Sequence, residues 1–77
     1  MRLFNWEIIN ETNYDITCDV LEKGINIVDK ASNSYLAFLT YNDKDGIYTV
    51  DYNVHKVVLQ INDISKSITI YDNIAPY

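Results

Sequence analysis

Two sets of side chains in this chain have types and spacings that could do chemistry. The first is acidic. Asp15 and Asp19 stand four apart in Tyr14-Asp15-Ile16-Thr17-Cys18-Asp19-Val20, a strict polar/apolar alternation. Such alternation specifies a half-buried strand, with Tyr14, Ile16, Cys18 and Val20 on one face and Asp15, Thr17 and Asp19 on the other. Same-face residues two apart on a strand lie about 6.5–7 Å apart, a repeat similar to that of phosphates along one nucleic-acid strand. With Glu7 on a neighbouring strand, the stripe could imitate a nucleic-acid backbone and occupy a basic groove on another protein. The plain alternative is a solvated face that keeps a small protein soluble, and Thr17 and Ile9 interrupt the stripe. The second set is aromatic. Seven tyrosines are many for 77 residues, and Tyr41, Tyr48 and Tyr52 flank one turn. Tyrosine combines large contact area with a polar tip, which suits both sheet packing and protein interfaces.

Other constellations fail on chemistry. A paired-carboxylate hydrolase needs one carboxyl in an apolar cleft, facing a second at a set distance, and a thin domain scarcely builds such a cleft. Asn42-Asp43-Lys44-Asp45-Gly46 faintly resembles a calcium loop. Placing Gly46 at the sixth position puts Tyr41 first and Tyr52 twelfth, where carboxylates are required. His55 and Cys18 are the single histidine and the single cysteine. They assemble no zinc set, and Cys18 falls on the apolar strand face, where a thiol is normally inert. With only Gly24 and Gly46, no glycine-rich phosphate loop exists. The expectation is no catalytic residue, no metal and no cofactor.

Composition narrows the partners. Eleven acidic against six basic residues give a net charge of −5. This argues against direct binding to nucleic acid or to an anionic membrane and favours a basic partner. Base stacking on the tyrosines would need a basic groove, whereas Asp43, Asp45 and Asp51 outnumber Lys44 and Lys56 nearby. One cysteine cannot form an internal disulfide, and no secretory leader or apolar membrane span is visible, so the expected location is cytoplasmic. The excess of Asn, Ile, Tyr, Lys and Asp reflects AT-rich codons, as in a low-GC bacterium or one of its phages.

These side chains need a scaffold, and the turn signals supply its outline. They recur roughly every ten residues: Asn10–Asn13, Glu22–Gly24, Ala31–Ser34, Asn42–Gly46 and Asn62–Ser67. Between them lie runs rich in Ile, Val, Tyr and Thr, the pattern of an antiparallel meander, sandwich-like or barrel-like. A three-residue turn at Glu11–Asn13 sets Phe4 opposite Val20, Trp6 opposite Cys18 and Ile8 opposite Ile16. A turn over Leu21–Gly24, with Gly24 at positive φ, sets Val20 opposite Ile25 and Cys18 opposite Ile27. A turn over Asn42–Gly46 pairs Thr40 with Tyr48, Phe38 with Val50 and Leu36 with Tyr52. A turn over Asp63–Lys66 pairs Ile61 with Ile68, Leu59 with Ile70 and Val58 with Tyr71. The apolar run in Val54–Asp63 suits a central strand buried on both faces. The rival is an α+β fold with a helix over 16–31 packed on an antiparallel sheet; Gly24 and the β-branched content oppose it.

The sequence therefore describes one small acidic all-β domain, residues 1–77. The expected function is non-enzymatic binding: a phage or mobile-element inhibitor that covers a basic or functional surface on a host defence or nucleic-acid-processing protein. Glu7, Asp15 and Asp19, or Tyr41, Tyr48 and Tyr52, are the candidate contacts. The alternative is a structural homo-oligomer, a homodimer in its simplest form.

Overall fold

Asparagine and aspartate set the turns, and the β-branched runs between them become strands. A computed structural model describes residues 2–3, 5–22, 24–51 and 56–73. The strands are β1 (Arg2–Leu3), β2 (Trp6–Glu11), β3 (Ile16–Val20), β4 (Gly24–Asp29), β5 (Ser34–Asn42), β6 (Ile47–Val50), β7 (Val57–Asn62) and β8 (Ser67–Asp72). Three of the connections use one device, a four-residue loop with an Asx residue before it and a left-handed residue at its end. Asn42 Oδ1 accepts the Lys44 and Asp45 amides at 3.0 and 3.4 Å, and Gly46 closes the loop at φ 69°. Asn62 Oδ1 accepts the Ile64 and Ser65 amides, both at 3.0 Å, and Lys66 closes at φ 55°. Asp29 precedes the third loop, which Asn33 closes at φ 58°. A short side chain that hydrogen-bonds the backbone two residues on mimics one arm of the turn.

The strands form two sheets facing one another: β1-β2-β8-β7 and β3-β4-β5-β6. All-β architecture is therefore as expected: residues 16–20 and 24–29 form two strands, with no helix among the described residues of 16–31. The β3–β4 register, Cys18 opposite Ile27 and Val20 opposite Ile25, and the β7–β8 register are those read from the turns. Four other expectations are corrected. β2 does not pair with β3. It runs parallel to β8, with Ile8 opposite Ile68, and the chain crosses between sheets at residues 12–15. β3 is consequently an edge strand among the described strands. Asn42 belongs to β5, so the β5–β6 register slips by one, giving Tyr41 opposite Tyr48 and Leu39 opposite Val50. β7 is also an edge among the described strands, with Val57 fully buried and Val58 45 % exposed. A bulge where β5 passes Ile27 and Val28 lets Leu36, Ala37 and Leu39 all be buried.

The core lies between the sheets. Trp6, Ile8, Val57, Ile68 and Ile70 meet Ile16, Ile25, Ile27, Leu36, Ala37, Leu39 and Tyr48. Full burial of an Ile, Leu or Val side chain contributes about 1.5–3 kcal/mol. Cys18 packs against this cluster from one side.

The β4–β5 turn holds a buried carboxylate. Asp29 accepts the Ser32 hydroxyl at 2.7 Å, the Asp15 amide at 3.2 Å and the Ala31 amide at 3.4 Å. The Ser32 bond, then these backbone donors, hold its carboxyl below the usual range against the opposing effect of burial. A depressed native pKa gives stability that is complete above the unfolded aspartate value, about 3.9, and is lost as pH falls through the native value. The Asp29→Asn variant is therefore expected to be less stable than the parent at pH 7, with the gap closing below about pH 4. Urea unfolding followed across that range measures it; a gap that widens in acid would contradict the assignment.

Candidate functional site

Antiparallel pairing brings the β3–β4 turn and the β5–β6 loop to the same end of one sheet. There the chain leaves a hollow of about 300 Å³ lined by Val20, Leu21, Glu22, Gly24, Tyr41, Asp43 and Tyr48. That is near the lower limit of pockets that hold small ligands, about 300–1,000 Å³. Tyr48 is 2 % exposed, Tyr41 is half-buried, and Val20 and Leu21 are exposed. Glu22 and Asp43 are exposed and carry negative charge at the rim.

One side of the hollow is an aromatic row. Tyr41 and Tyr48 are register partners whose rings stand 4.7 Å apart, tilted by 53°. Tyr48 meets Trp6 of the facing sheet edge to face, at 5.4 Å and 83°. Lys66, at the left-handed end of the β7–β8 loop, sets its ammonium 5.1 Å from the Trp6 ring centroid. Such a pair is worth about 0.5–1 kcal/mol at exposed sites. The row thus has a cation at its Trp6 end and the hollow at its Tyr41 end.

Acid–base chemistry has little to work with here. Burial, then the neighbouring Tyr41 and Cys18, pushes the Tyr48 phenol up, so it stays protonated at neutral pH. Burial, then Asp19, likewise pushes the Cys18 thiol up. A thiol, not a thiolate, stands there, and a thiol is a poor nucleophile. What the hollow offers is aromatic area, aliphatic walls and two carboxylates.

Of the sequence-predicted contacts, the structure brings together Tyr41 and Tyr48. Tyr52, like His55 of the dismissed Cys–His pair, lies outside the described residues. The acidic stripe is divided. Glu7 is exposed on β2 in one sheet, whereas Asp15, before β3, and Asp19, on β3, are exposed beside the other. Glu7 therefore shares no sheet face with Asp15 and Asp19, and the three do not form one stripe. Sequence reasoning missed Val20, Leu21, Glu22, Gly24 and Asp43 as lining residues. Their only signal was that two turns, 21–24 and 43–46, belong to strands that the β4–β5 pairing brings side by side. Comparisons with protein-family models, with curated proteins and with solved structures found no match to this chain.

Proposed function

We propose that this chain is a non-enzymatic binding domain that engages a basic surface of another protein through the hollow end of its sandwich. The observation that carries the reading is the hollow itself, an opening onto Tyr41 and Tyr48 with Glu22 and Asp43 at its rim. Desolvated aromatic area beside polar groups is the composition of energetic centres in protein interfaces. The charge has the matching sign: the chain carries −5 overall, and Glu22 and Asp43 are exposed in the lining. The action is steric, since a bound domain of this size covers the surface it occupies. An inhibitor of a bacterial host protein, as the size, acidity and codon bias suggest, is the setting that fits best.

The test compares three baits in a host-cell lysate, with bound proteins quantified by mass spectrometry. They are the parent chain, a Glu22→Lys/Asp43→Lys pair and an Asp15→Lys/Asp19→Lys pair. The expected result is a protein retained by the parent and by the second pair but depleted by about tenfold or more on the first, as for charge reversal at an interface. Retention of the same proteins by all three baits removes the hollow as the contact.

A further inference from the structure

The aromatic row makes a specific demand on whatever enters the hollow. We infer that the hollow receives a single arginine side chain from the partner, stacked on Tyr41 and paired with Glu22 and Asp43. This deepens the binding role proposed above and rests on it.

Three observations converge. First, the chain already solves the same problem once. The Trp6 end of the row carries the Lys66 ammonium, while the Tyr41 end opens into the hollow. The faces of aromatic rings are negative, and a cation over them is attracted. Second, the lining offers three kinds of surface. Tyr48 is buried, Val20 and Leu21 are apolar, and the two carboxylates are exposed. Tyr41 is only half-buried, so a guanidinium laid on its ring stays near the exposed carboxylates while the aliphatic stem lies against Val20 and Leu21. Third, the hollow's volume, about 300 Å³, suits one such side chain better than a folded segment.

Arginine fits better than lysine on chemical grounds. Its guanidinium is planar, stacks on a ring, is weakly hydrated and offers a fork of donors to carboxylates. A lysine ammonium gives up more hydration on entering and presents no plane to Tyr41.

The experiment is a titration of the isotope-labelled full chain, followed by amide NMR, with three probes: N-acetyl-arginine amide, N-acetyl-lysine amide and the uncharged N-acetyl-norleucine amide. The expected result is saturable shifts centred on Gly24, Tyr41 and Tyr48, with arginine bound about fivefold or more tighter than lysine and no saturable response to norleucine. A Glu22→Gln/Asp43→Asn pair, whose spectrum reports that the fold persists, should weaken arginine about fivefold or more. Equal binding of norleucine makes the hollow a plain apolar site and overturns the inference. So do shifts that never saturate and spread to Asp63 and Asp72, on or beside the other sheet. The two proposals fail separately. A partner lost with Glu22→Lys/Asp43→Lys, with no arginine binding, leaves the function and removes the occupant. Arginine binding with no partner lost does the reverse.

Discussion

Replacing Gly24 with alanine is expected to destabilise the domain by about 3 kcal/mol, at the upper end of overpacking costs. The reason is space and not backbone conformation. A Cβ at position 24 meets the main-chain carbonyl of Leu39 in overlap and comes within 2.9 Å of the Phe38 ring. The ring can turn aside. The carbonyl cannot, because β4 and β5 are paired through Gly24–Thr40 and Ile25–Leu39, and moving it means parting the two inner strands of their sheet. At roughly 4–8 °C per kcal/mol for a domain of this size, the melting temperature should fall by about 12–24 °C. Gly46→Ala is the internal comparison. Its φ of 69° strains any L-residue, but its nearest neighbour, the Tyr41 hydroxyl, is 3.8 Å away. A left-handed penalty of about 1–2 kcal/mol is all it should cost. Thermal and urea unfolding of the pair give the ranking, and a milder effect at 24 than at 46 would falsify the close approach of β4 to β5.

The same glycine shows where sequence reasoning reached its limit. Turn spacing located Gly24, but a glycine needed for positive φ and one needed for room are identical in a sequence, and only the neighbouring strand distinguishes them. Hydrophobic alternation behaved the same way. It assigned Trp6, Ile8, Ile16, Ile25 and Ile27 to the core, and all are buried. It could not say whether Trp6 and Ile8 reach that core beside Ile16 in one sheet or across from it in another, because both arrangements bury the same face. Local turn chemistry was legible where an asparagine closed on its own backbone, as at 62–66, and the β7–β8 register followed from it. Taking Asn42 into the loop and not into β5 cost one residue of register there. The parallel β2–β8 contact joins residues about sixty positions apart, and no local signal encodes a partner at that distance. The hollow was legible only in part for the same reason: Tyr41 and Tyr48 flank one turn, but Val20, Leu21 and Glu22 arrive through sheet pairing.

Trp6→Ala is expected to have the largest effect of any single truncation, about 3–5 kcal/mol. Trp6 is 2 % exposed on the inner face of β2, and it meets Tyr48 of the facing sheet edge to face. Its loss opens a cavity, removes the edge-to-face partner of Tyr48 and strips Lys66 of the ring beneath it. Trp6→Phe keeps a ring and should cost about half as much. Because Tyr48 lines the hollow, Trp6→Phe should also weaken N-acetyl-arginine amide while leaving the rim charges intact. A double-mutant cycle identifies the origin of the loss. Trp6→Phe combined with Tyr48→Leu should show a coupling of about 0.5–1.5 kcal/mol, the range of buried aromatic pairs. The cycle also decides the topology. If β2 and β3 were one hairpin, Trp6 would stand opposite Cys18, and Trp6→Phe with Cys18→Ala would carry the coupling instead. In the two-sheet arrangement Cys18 is opposite Ile27, so the energy should follow Tyr48, the residue that joins the core to the hollow.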